Sequence, residues 1–106
     1  MVNLLKEKLS KKTKTKNSQK QKKEKDCSII LLNDPYTTMD FVENEILSGI
    51  FNLRKKDAKR ITLAVHNNGS GIIGVFPRDT AIRKIEQVHL KAAAYEFPLK
   101  CILQEC

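Results

Sequence analysis

The chain has 106 residues, with 20 Lys and Arg against 12 Asp and Glu and a net charge of +8. That length holds one domain plus tails. No apolar run reaches the roughly 20 residues of a membrane-spanning helix, and no apolar core follows the first residues as it would in a secretory signal.

The charge is unevenly placed. Residues 1–25 carry ten Lys and two Glu, a net of +8, whereas residues 26–106 carry ten basic and ten acidic residues and net to zero. The stretch 1–26 is polar, self-repelling and of low complexity, so it reads as a flexible basic tail. Only Leu4, Leu5 and Leu9 hint at an amphipathic turn. With Lys but no Arg and little Ser, the tail makes a poor organelle transit peptide, and a cytoplasmic location is expected. The three cysteines, Cys27, Cys101 and Cys106, form no Cys-x-x-Cys pair and lie at no metal-ligand spacing from a His. They are expected to be free thiols in a reducing compartment.

The domain is expected to span 27–106. Residues 27–32 are apolar and stop at Asn33-Asp34-Pro35, the pattern of a strand buried on both faces. Thr37 reads as a helix N-cap with Asp40 three residues on. Val42, Ile46, Leu47 and Ile50 give that helix an apolar face. A second helix runs from Lys55 to His66 and stops at Asn67-Asn68-Gly69. Residues 71–76 form a strand ended by Pro77. A third helix follows, with a stripe at Ala81, Ile85, Val88, Ala92 and Tyr95. Phe97-Pro98 breaks it, and Leu99, Cys101 and Leu103 alternate along a last strand. The fold class is α+β, in the order β-α-α-β-α-β. That class predicts a three-stranded sheet with three helices on one face, and the wholly apolar first strand suits the place between the other two.

Catalytic chemistry finds no support. The two His and the scattered carboxylates make no triad or metal set, and the glycines of residues 69–74 enter a strand, unlike a phosphate-binding loop. The sharper pattern joins two element ends. Asn33 and Asp34 leave a strand, and His66 closes a helix. An amide oxygen, a carboxylate and a neutral imidazole are all acceptors, suited to a cationic amine. The same residues also suit ordinary turn chemistry and a helix dipole, and spacing alone leaves both readings open.

Three motifs in order, "LLNDPYTTMDFV" (31–42), "LAVHNNGSGIIGVF" (63–76) and "FPLKCIL" (97–103), closely resemble the ClpS adaptor family. The resemblance spans residues 27–105. It implies an adaptor, not an enzyme, with no cofactor and no metal. Such an adaptor binds proteins that begin with Leu, Phe, Tyr or Trp and delivers them to the ClpA-type AAA+ unfoldase of the ClpAP protease. Matched to the family's motifs, Asn33, Asp34 and His66 are implied to bind the N-terminal amine. Thr37, Met39, Val42, Thr62, Val65 and Leu99 are implied to line a hydrophobic side-chain pocket. Asp79 and Lys84 are implied to dock the unfoldase.

Two departures from the family's usual residues matter. Pro35 stands where a second Asp is common, and Thr62 where Met is usual. The shorter Thr62 leaves room for larger aromatic first residues, and its hydroxyl is placed to bond back to the Ala58 carbonyl. The rival reading is a nucleic-acid or ribosome-associated protein that acts through the Lys-rich tail. The absence of interleaved aromatics and Arg counts against it.

Overall fold

The computed structural model of the protein describes residues 25–106. The expected flexible tail, its Leu4, Leu5 and Leu9 turn, and the rival nucleic-acid reading that depends on it fall outside the described residues.

Strand β1 (Asp26–Leu32) is followed by helix π1 (Phe41–Ser48), helix α1 (Lys55–Asn68), strand β2 (Ser70–Pro77), helix α2 (Arg78–Ala94) and strand β3 (Lys100–Gln104). The sheet has the order β2-β1-β3, and β1 pairs antiparallel with both neighbours. β2 and β3 are therefore parallel to each other, and the all-apolar strand takes the centre as its composition dictates. Cys27, Ile29 and Leu31 are fully buried, and Ser28 and Ile30 on the other face are nearly so. The strand starts at Asp26, one residue before the expected domain boundary. A bulge opposite Ile29 and Ile30 puts an extra residue, Ile73, into β2 and turns it inward.

The first helix differs from the expected form. Its main body, Phe41–Ser48, is wound as a π-helix, and just past its end the Phe51 N–H still reaches the Ile46 carbonyl five residues back at 3.3 Å. The wider turn puts residues four and five apart on one face. Phe41, Val42, Ile46, Leu47, Ile50 and Phe51 are all buried by it. The cap also differs. Thr38, not Thr37, caps the helix, because its Oγ1 accepts the Phe41 N–H at 3.2 Å. The Thr37 hydroxyl is already spent, donating to Asp34 Oδ2 at 2.7 Å.

α1 buries Ala58, Ile61, Thr62 and Val65 and ends at Gly69 in the left-handed conformation (φ 92°), which costs glycine no steric penalty. α2 packs on all three strands and ends in an unusual way. Glu96 takes φ 63°, and the Phe97 N–H returns to the Ala92 carbonyl at 2.8 Å. The chain thus reverses into β3.

The cysteine expectation is corrected in part. Cys27 and Cys106 form a disulfide across 79 residues, and only Cys101 remains a free thiol. The antiparallel register explains the pairing. Ser28 lies opposite Gln104, so the start of β1 and the chain's last residues share one end of the sheet. No sequence spacing reveals that. Cys101 is buried, and burial pushes its thiol up to about 12, so it is not a ready nucleophile.

Candidate functional site

Local hydrogen bonds shape the loop that leaves β1. The Asp34 carboxylate accepts the backbone N–H groups of Tyr36 and Thr37, each at 2.8 Å, as well as the Thr37 hydroxyl. Burial would raise its pKa, but these three bonds outweigh that effect and hold the group below its ordinary value. Pro35 has no N–H, so the first donor available to the carboxylate comes from Tyr36. The Asn33 N–H donates to the Gly69 carbonyl at 2.9 Å, which ties the loop to the end of α1.

The tie closes a cavity of about 180 Å³ between the loop, α1 and the start of β3. Asn33, Asp34 and His66 line it, and so do Thr37, Met39, Val42, Thr62, Val65 and Leu99. All nine residues singled out in the sequence for amine and side-chain contacts therefore share one cavity. Leu32 and Pro35 also line it. Leu32 reads from sequence as a strand residue like its neighbours, and only its place at the strand's end marks it for the wall.

The walls and the mouth differ in character. Val42, Thr62, Val65 and Leu99 are buried, whereas Asn33, Met39 and His66 are exposed. The Thr62 hydroxyl donates to the Ala58 carbonyl at 2.8 Å, so the residue presents its methyl and buries no unpaired polar atom. β2 approaches closely at Gly71. A Cβ there would come within 2.9 Å of Val65 Cγ2, against a side chain that is stiff at χ1. Among the described residues the Asn33 side chain and the His66 ring have no hydrogen-bond partner, so the mouth carries two polar groups free to bind.

The two remaining candidates lie elsewhere. Asp79 is exposed in the first turn of α2. The half-buried Lys84 donates from Nζ to the Ile50 carbonyl at 2.8 Å and sits 5.8 Å from the Phe51 ring centroid. Burial first, then the neighbouring Arg83 charge, lowers its pKa. Its ammonium thus links α2 to the end of π1. No group of three or more His, Cys, Asp or Glu among the described residues is placed to hold a metal. No helix among them is long and apolar enough to cross a membrane.

The family model of the ATP-dependent Clp protease adaptor protein ClpS matches residues 22–102. The chain belongs to the ClpS family. It is 50% identical over 78 residues to the ClpS adapter of Wolinella succinogenes, covering 74% of this chain and 76% of that one. The ClpS adapter of Acetivibrio thermocellus is 49% identical over 82 residues, 77% of this chain and 82% of its own. Among solved structures, ClpS2 of Agrobacterium tumefaciens bound to L-phenylalaninamide superposes with a TM-score of 0.73 at 28% identity. That match covers 77% of this chain and 98% of ClpS2. ClpS proteins are adaptors of a protease and not enzymes themselves, and this chain has their α+β fold.

Proposed function

We propose that the cavity receives the first residue of a protein destined for degradation. In this reading Asn33 and His66 accept hydrogen bonds from the free N-terminal amine. The observation that carries it is a cavity with apolar walls and two unpaired polar groups at its mouth.

Size and charge support the same reading. A cavity of about 150 Å³ takes a benzene ring, so about 180 Å³ suits one large side chain. Nucleotides and drug-sized ligands need roughly 300 Å³ or more. Burying one Leu or Phe side chain contributes roughly 1.5–3 kcal/mol, and each charge-assisted hydrogen bond adds on the order of 1.5–3 kcal/mol. Asp34 adds its charge. A carboxylate has about four acceptor sites, and the three bonds that Asp34 accepts leave it one. That partly offsets the acid replaced by Pro35. The phenylalaninamide bound to ClpS2 has the free amine and aromatic side chain that this geometry suits.

The adaptor then delivers its cargo to a ClpA-type AAA+ unfoldase. Docking would use the α2 surface around Asp79, with Lys84 at its inner edge. The deciding experiment titrates a fluorescent Phe-initiated peptide and its N-acetylated copy. The free amine should bind in the micromolar range or tighter, about 8 kcal/mol, and the acetylated copy at least tenfold more weakly. Equal affinities would refute amine recognition.

A further inference from the structure

A second cavity, a shallow and open one of about 290 Å³, lies between the start of π1 and the turn that follows α2. Three aromatic rings form its floor and wall. The buried Phe41 ring lies 4.8 Å from Tyr95 and 4.9 Å from Phe97, and Tyr95 and Phe97 are nearly parallel (12°) at 6.5 Å. The left-handed turn at Glu96 separates Tyr95 from Phe97. Asp40, Asn44 and Glu45 form the rim. Glu45 pairs with Lys91 at 3.0 Å, while the exposed Asp40 carboxylate has no partner among the described residues.

From this cavity we infer a subsite for a basic side chain at the second to fourth position of the bound peptide, resting on the first-residue reading above. An aromatic wall attracts a cation over its ring face and accommodates the alkyl stem of Lys or Arg, and a free carboxylate at the rim completes the match. The linings of the two cavities are neighbours in the chain. Met39 lines the first and Asp40 the second, and Leu99 lines the first while Phe97 lines the second. An extended peptide advances about 3.3–3.6 Å per residue, and in the proposed binding mode its second to fourth residues run from the first cavity toward Asp40 and the aromatic rings.

The test uses peptides that begin with Phe and otherwise contain Ala, with one Lys at position two, three or four. Acetyl-lysine serves as the neutral control. Lys at one of these positions should tighten binding about three- to tenfold over Ala. Acetyl-lysine should remove that gain, and 0.5 M salt should shrink it. In Asp40→Asn and in Tyr95→Ala the Lys-to-Ala affinity ratio should fall to about one. Binding that ignores Lys at all three positions, or that treats acetyl-lysine as Lys, overturns the subsite alone. Failure of every Phe-initiated peptide to bind overturns the first-residue reading and the subsite with it.

Discussion

The Asn33 N–H donates to the Gly69 carbonyl at 2.9 Å and so joins the end of β1 to the residue that stops α1. The bond uses backbone atoms only and leaves the Asn33 amide free at the cavity mouth, beside the last turn of α1 that carries His66. If Asn33 and His66 hold an amine, Asn33→Ala or His66→Ala should weaken a Phe-initiated peptide about ten- to hundredfold, the equivalent of one charge-assisted bond. The melting temperature should hardly move, because neither side chain has a partner within the described residues. A variant that melts like the parent and binds as tightly would remove that residue from the site.

The floor of the cavity sets which first residues fit. Thr62 is buried with its hydroxyl turned back to Ala58, so its methyl is what a ligand meets. Phe- and Trp-initiated peptides should bind at least about threefold tighter than a Leu-initiated one, since a methylene or two of fit is worth roughly 1–3 kcal/mol. Thr62→Met, by filling the floor, should erase or reverse that preference. Leu binding as tightly as Phe to the parent protein would refute it.

Much of this was legible in the chain, for identifiable reasons. The apolar run before Asn33 suits a buried central strand, and the stripe from Ala81 to Tyr95 has the spacing of a helix. Asn33, Asp34 and His66 stand out as acceptors at two element ends, but the wall residues rest on motif resemblance, since Thr62 and Leu99 share no periodicity that would bring them together. The π winding of Phe41–Ser48 was hidden because residues four apart, such as Val42 and Ile46, satisfy an α-helix equally well. The cap moved to Thr38 because Asp34 takes the Thr37 hydroxyl, a competition that preferences for single positions do not contain. The aromatic cavity depends on where Glu96 turns the chain, and a left-handed Glu has no sequence signature.

His89 gives the fold a pH dependence of definite sign. Its Nε2 accepts the Cys101 N–H at 3.0 Å and must be unprotonated to do so. Burial, then the nearby Lys100 charge, holds its pKa below the ordinary value. The unfolded chain therefore binds more protons than the folded one across the window between the two values. Stability should be unaffected by this group above about pH 6.5 and should decline as pH falls below it. Asp34, also lowered on folding, has the same sign further down, its contribution present above about pH 3.9 and lost as pH falls through its folded value. Melting curves between pH 7.5 and 5 should drop for the parent and stay flatter for His89→Gln, which keeps an acceptor but does not titrate. Parallel curves would rule His89 out.

The Cys27–Cys106 bond ties both ends of the domain to one end of the sheet. Closing a loop of 79 residues is worth about 4.5 kcal/mol by chain entropy, so reduction should lower the melting temperature by roughly 20–30 °C. Cys106→Ser should melt at the reduced value with or without reductant. Thiol labelling after unfolding gives an independent count: one reactive thiol, Cys101, in the oxidised protein, and all three cysteines after reduction. Three thiols without reductant would show that the bond does not form, and the domain's stability would then rest on its core alone.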